Sequence, residues 1–379
     1  MGALYNTSLS QEALLERLHL ARKQSDELFS IVKPEFLYER PIAERHRIVF
    51  YIGHLEAFDW NLLGERLFQA KSFNPDLDRL FAFGIDPVDG GLPTDQPKDW
   101  PQIETVREYV KRVRAEIDDN LSSDLSEDAE KLLNVAIEHR LMHAETLAYM
   151  LHQLPYDQKQ QLHSKPHLVT DAVTPSIVEI PSGTATLGLS RNDAQFGWDN
   201  EFELNRVEVP AFAIDKYMVT NGQFLEFMAA GGYQKEELWT EPDWQWITSN
   251  YIHHPVFWVR ADDEWKYRTM FEEISLPLDW PVYVSHAEAS AYARWAGKSL
   301  PTEAQWHRAA YGTPEGSEQI YPWGEAEPDS QKGNFDFYRW NPTRIGAFPQ
   351  GQSAFGASDM LGNGWEWTST VFQPFAGFE

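Results

Sequence analysis

The chain has no cysteine. That excludes disulfides, thiolate metal ligands and a cysteine nucleophile, so a bound metal would have to be held by imidazole or carboxylate. Positive charge is scarce: 32 Lys and Arg stand against 58 Asp and Glu, a formal charge of −26. A field of that sign repels phosphate backbones and anionic bilayers, so neither nucleic acid nor a membrane is an expected partner. No apolar run approaches the length of a membrane span. Residues 1–17 (MGALYNTSLSQEALLER) lack a basic segment followed by an apolar one, and no secretion signal is read there. The expectation is a soluble, cytoplasmic protein.

What is present divides the chain in two. At 379 residues with 42% hydrophobic residues, it is long for a single core. Residues 8–154 read as helices joined by loops. Ser8 and Gln11 have capping-box spacing ahead of the repeat Leu14, Leu15, Leu18 and Phe29. A second helix is expected from about 43 to 68, and a third is marked by Val106, Tyr109, Val110, Val113 and Ile117. A fourth starts near Ser126 and is stopped by Pro155. Between the second and third lies a Gly/Pro/Asp-rich stretch, 83–101, long enough to have a functional role. The pattern predicts a four-helix bundle over 1–155, a polar linker over 156–175 and a second domain over 176–379. All of the 15 tryptophans except Trp60 and Trp100 lie beyond Pro175. There IVEIPSGTATLGL (177–189) and RVEVPAFAIDKYMV (206–219) alternate like strands. SHAEASAYARWAG (285–297) and PTEAQWHRAAYG (301–312) read as short helices, the second with Pro in its first turn. The rest is turn-rich and irregular, its tryptophans expected to fill a core.

Three histidines stand out. His139 and His143 are four residues apart in a segment free of Gly and Pro, so on a helix their Cβ atoms lie roughly 5–6 Å apart on one face. Their stripe runs Leu132, Ala136, His139, His143, Leu147, Met150, Leu154 and faces the core. His54 sits between Phe50 and Phe58 on a second apolar stripe. Two readings are open from the residues alone. The rings are ordinary buried side chains with hydrogen-bond partners, or they converge on one metal and leave it open coordination positions.

The second region carries IPSGTATLG, YMVTNGQFLEF, GGYQKEELW, PVYVSHAEASAYARWAGKSLPTEAQWHRAA, YPWGE and GNGWEWTST in that order. Over about 200 residues it resembles the formylglycine-generating-enzyme (sulfatase-modifying factor) family, whose fold is irregular and similar to a C-type lectin. The first region resembles DinB-like helical domains through His54-Leu-Glu-Ala-Phe-Asp-Trp and the HxxxH of its last helix. The combination is similar to the sulfoxide synthases of ergothioneine biosynthesis and their ovothiol and selenoneine relatives, an α+β architecture. That resemblance implies that His54, His139 and His143 bind non-haem iron(II). It also implies that O2 is used to join a sulfur or selenium donor to the imidazole of hercynine or histidine. Lacking the catalytic cysteines of formylglycine-generating enzymes, the second domain would serve as a wall of the active site, with Trp365 and Trp367 either packing its core, the favoured role, or lining the pocket.

Three departures shape the expectation. A substrate-contacting glutamine of the dipeptide-using synthases is replaced by Met142, just before His143, so that contact is lost or taken over by Met142, a candidate substrate contact. Arginines that grip γ-glutamylcysteine are missing from 83–101, which carries Asp86, Asp89, Asp95 and Asp99 against Lys98 alone. Cysteine or a selenosugar is therefore the expected donor. Relatives continue past GNGWEWTST, and their proton-donating tyrosine lies beyond Glu379, so no catalytic residue is assigned here and the second domain is expected to be incomplete at its C-terminus. Two other functions fit parts of the pattern: a zinc-dependent DinB-like thiol transferase, and a non-enzymatic lectin-like binding module with structural histidines.

Overall fold

Helix α1 (Gln11–Ser30) buries Leu14, Leu18, Ala21 and Leu28 at helical spacing and lies along α5. In the computed structural model, residues 11–82, 92–121, 125–161, 173–192 and 196–378 are described; the expected Ser8 cap falls outside them. Helix α2 (Ile48–Asp59) starts at Ile48 and not near residue 43. The chain before it is a turn, tied back by the amides of Ile48 and Val49, which donate to the carbonyls of Glu39 and Leu37. After Asp59 the helix widens into a π-helical stretch, Trp60–Leu67. Gly64 lies against the Trp60 indole, and a Cβ there would come within 2.6 Å of the ring.

Helix α3 (Pro75–Ala82) was not expected; two turns hold too few apolar repeats to show a period, although Leu77 and Phe81 are buried. Helix α4 (Ile103–Asn120) buries Val106, Tyr109, Val113 and Ile117. Helix α5 (Glu127–Gln153) is capped by Ser126, whose hydroxyl accepts from the Ala129 amide at 3.2 Å. Its buried stripe passes through Leu133, and Leu132 is half-buried, a one-residue correction to the sequence reading. Of 83–101, residues 83–91, with Asp86 and Asp89, lie outside the described set. The remainder is anchored by Asp95, which accepts from Arg40, from Arg47 Nε at 2.9 Å and from Trp100 Nε1 at 2.7 Å. The acid at Asp95 is thus matched by arginines from the α1–α2 connection, which a count within the loop missed.

The chain falls into two units, the helical one within Thr7–His163 and the other within Ser164–Glu379. In the second, each alternating segment splits at a proline, which cannot donate to the ladder. Strands β1 (Ile177–Ile180) and β2 (Gly183–Leu187) flank Pro181; β3 (Asn205–Val209) and β4 (Phe212–Asp215) flank Pro210. Antiparallel pairing joins β1 to β4 and β2 to β3, with Ile180 opposite Phe212 and Gly183 opposite Val209. Helices α6 (Asn221–Ala229) and α7 (Glu241–Ser249) and the antiparallel sheet of β5 (Trp258–Ala261), β6 (Glu264–Arg268) and β7 (Glu273–Ser275) form where the sequence read as irregular. Helices α8 (His286–Trp295) and α9 (Glu303–Tyr311) open on capping boxes, Ser285 with Glu288 and Thr302 with Gln305. Pro301 therefore precedes the α9 cap and does not open its first turn. Phe224, Phe227, Tyr233, Trp239, Trp258, Tyr267 and Trp280 fill a core here, the role expected for most of the tryptophans. The fold is α+β, a helical bundle followed by an irregular domain with small sheets.

Candidate metal centre

Helices α2 and α5 bring His54, His139 and His143 together. One nitrogen of each ring lies within 4.8 Å of one nitrogen of each of the others. Ring centroids are 4.5 Å apart for His139 and His143, 4.9 Å for His54 and His143, and 5.3 Å for His54 and His139. All three side chains are buried. Among the described residues this is the one cluster of three or more His, Asp or Glu side chains close enough to share an ion.

Each ring is held by its surroundings. His54 Nδ1 lies 2.7 Å from the Phe81 carbonyl. Because a carbonyl only accepts, Nδ1 carries the proton and Nε2 keeps its lone pair. Phe81 reaches this position because Gly53 has no Cβ; one placed there would stand 2.5 Å from the Phe81 ring. Phe50 stacks on His54 with centroids 4.9 Å apart, and Phe58 stacks on His139 at 3.5 Å. Nδ1 of both His139 and His143 is buried without a hydrogen-bond partner.

Electrostatics favour the ligand form of imidazole. Burial, reinforced by repulsion from the His143 and His54 rings and from Arg140, pushes the His139 pKa down to about 2. Burial, then His54 and Arg140, takes His143 to about 3. His54 is lowered too, mainly by burial and against its bond to Phe81. Three neutral imidazoles, with no carboxylate or thiolate beside them in the cluster, suit a borderline divalent ion such as iron(II) or zinc and would leave it open positions.

Other named residues stand elsewhere. Met142 is 46% exposed, on the outer side of α5. In the second unit Trp365 is 83% exposed, and Trp367 is 49% exposed with its Nε1 donating to the Val284 carbonyl at 2.9 Å. His152 is buried but is not one of the converging rings, and His163 lies outside the described residues. The sequence reading missed Gly53, Phe81 and the buried charges Glu56, Asp59 and Arg140. The available signal was charge inside the otherwise apolar α2 segment IVFYIGHLEAFD, where Glu56 and Asp59 stand among apolar neighbours.

Residues 164–377 match the sulfatase-modifying factor enzyme 1-like domain and residues 17–152 match the DinB superfamily. The chain is 31% identical to a hercynine oxygenase of Mycolicibacterium smegmatis over 386 aligned residues, covering 98% of this chain and 86% of that one. It is 40% identical to a hercynine oxygenase of Mycobacterium tuberculosis over 195 residues, 51% of this chain and 45% of the relative. Identity to ergothioneine biosynthesis protein 1 of Neurospora crassa is 26% over 430 residues, 91% of this chain and 48% of the relative. The match thus spans under half of two of these relatives and most of the third. With both domains present in order and one relative aligned over 98% of this chain and 86% of its own length, the chain belongs to the family that joins a DinB-like domain to a sulfatase-modifying-factor-like domain and includes the hercynine oxygenases.

Proposed function

We propose that this protein is an enzyme of ergothioneine-type biosynthesis that joins a sulfur or selenium donor to the imidazole ring carbon of hercynine or histidine. The convergence of three buried, neutral imidazoles carries the reading, and the hercynine oxygenases among its relatives supply the substrate class. Bound by His54, His139 and His143, iron(II) would supply the activation of O2 that this bond formation needs. For a thiol donor the balance is thiol plus imidazole C–H plus O2 giving the ring sulfoxide plus water, and for a sugar bearing a free selenol it is selenol plus imidazole C–H plus O2 giving the ring selenoxide plus water. The chain's own contribution is to keep the three ligands unprotonated and oriented, through burial, the Phe81 carbonyl and the stacked faces of Phe50 and Phe58. Met142, Trp365 and Trp367 present exposed surface and remain the candidate substrate contacts. The donor we favour is cysteine or a selenosugar.

The same donor set suits zinc in a thiol transferase. One experiment separates the readings. The protein is purified anaerobically, loaded with iron(II) or zinc, and given hercynine or histidine with cysteine, γ-glutamylcysteine or a selenosugar, with and without O2. An O2-dependent product, formed with iron alone and carrying the mass of both substrates plus one oxygen less two hydrogens, is expected for a thiol donor. Thiol transfer with zinc and without O2 would instead establish the transferase. Failure to bind either metal would leave the non-enzymatic binding module.

A further inference from the structure

We infer that Arg140 is a positioning residue for the metal centre: clamped by Glu56 and Asp59, its guanidinium sets the register of α5 against α2. That register decides where His139 and His143 stand relative to His54. The inference rests on the metal-centre reading above.

Arg140 lies on α5 between the two histidines, and Glu56 and Asp59 follow His54 on α2. All three charged side chains are essentially inaccessible to solvent. Arg140 Nη1 donates to Glu56 Oε1 at 3.0 Å and to Ser25 Oγ at 3.2 Å; Nη2 donates to Asp59 Oδ2 at 2.6 Å and to the Leu55 carbonyl at 3.3 Å. Glu56 is held a second time by Arg114, through Nε at 2.9 Å and Nη2 at 2.7 Å, and Arg114 also grips Asp26 at 2.6 and 2.8 Å. The node thus ties α1, α2, α4 and α5 beside the imidazoles. Helix α2 stays α-helical through His54, Glu56 and Asp59 and widens immediately after the last of them.

Stability alone gives little reason for such a node. Buried ion pairs repay their desolvation poorly, and apolar replacements of like volume are often as stable; their best-attested use is to specify register. Apolar helix faces tolerate sliding, whereas a planar fork with fixed acceptors does not. A slip of one residue moves a ligand by about 1.5 Å along the helix, far beyond the ~0.2 Å that metal coordination tolerates.

The test uses the metal-stripped full chain titrated with Co2+, read by binding and by the ligand-field absorption bands, beside thermal unfolding. Asp59→Asn is isosteric, Arg140→Lys keeps the charge without the fork, and the triple Glu56→Met, Asp59→Leu, Arg140→Met replaces the node with apolar volume. Each is expected to raise the Co2+ dissociation constant by about tenfold or more and to shift the bands, with the triple variant unfolding near the wild-type temperature. Wild-type affinity and bands in folded Asp59→Asn or in the folded triple variant would overturn the inference. No Co2+ uptake by the wild type, or full uptake by His54→Ala, would overturn the metal-centre reading itself and this inference with it.

Discussion

At the scale of single residues, the proposed metal centre depends on imidazoles that are buried, neutral and mutually close. Removing any one of His54, His139 or His143 leaves two ligands. Alanine at each position is expected to cut metal occupancy to a small fraction of wild type, while His152→Ala keeps it; elemental analysis of anaerobically loaded protein checks this, and full loading of His139→Ala would defeat the three-ligand site. Acid should also act on the metal-free protein. In the folded state His139 and His143 stay neutral down to about pH 2 and about pH 3, while unfolded rings take protons below about pH 6.5. Between those limits the unfolded state binds more protons, so stability is complete above about pH 6.5 and falls as the pH drops. Each ring contributes a slope of about 1.4 kcal/mol per pH unit. Urea unfolding from about pH 6 down to about 4.5 should approach this slope, reduced in His139→Leu; identical slopes would refute it. The pairing of His139 with His143 was legible from their spacing, since a helix puts i and i+4 on one face. The hold on His54 was not, because its partner is a backbone carbonyl on another helix.

At the scale of elements, two helices must approach closely for that carbonyl to arrive. Gly53 is the point of approach between α2 and α3. Gly53→Ala is expected to destabilise the helical unit by about 1–3 kcal/mol through overpacking, and to weaken metal binding by displacing Phe81. Denaturant unfolding and metal titration would check both, and unchanged stability would mean that the Phe81 ring yields freely. The start of α5 is a simpler case, since Ser126→Ala removes the cap and should cost about 1 kcal/mol without changing metal affinity. Long elements such as α4 and α5 were readable because many turns repeat the apolar spacing. Short α3, α6 and α7 carry too few repeats to show a period, and helices this short depend mainly on packing by their neighbours, aided in α6 and α7 by the Thr220 and Thr240 caps.

At the scale of the whole molecule, net charge sets the sign of the long-range field. A formal charge of −26 raises the potential energy of an approaching anion, and salt screens that effect over about 10 Å at 0.1 M. Cysteine should therefore exceed γ-glutamylcysteine in kcat/KM, and the gap should narrow as salt rises to about 0.5 M. Competition assays across that range decide it; a salt-independent preference for γ-glutamylcysteine would show that local cations override the global field. Arg40 and Arg47 are already committed to Asp95. No described helix is long and apolar enough to cross a membrane.

Composition and periodicity were enough to separate a helical first region from a tryptophan-rich, irregular second one, because apolar spacing and proline placement act locally. They were also enough to mark His54, His139 and His143, since a polar ring on an apolar stripe is visible without coordinates. Tertiary structure alone decided that these stripes face each other with the three rings in reach of one ion. It also decided that Asp95 meets Arg40 and Arg47, and that Arg140 meets Glu56 and Asp59. Such contacts join residues far apart in the chain, and their partners are chosen by the packing of helices, on which local spacing carries no information.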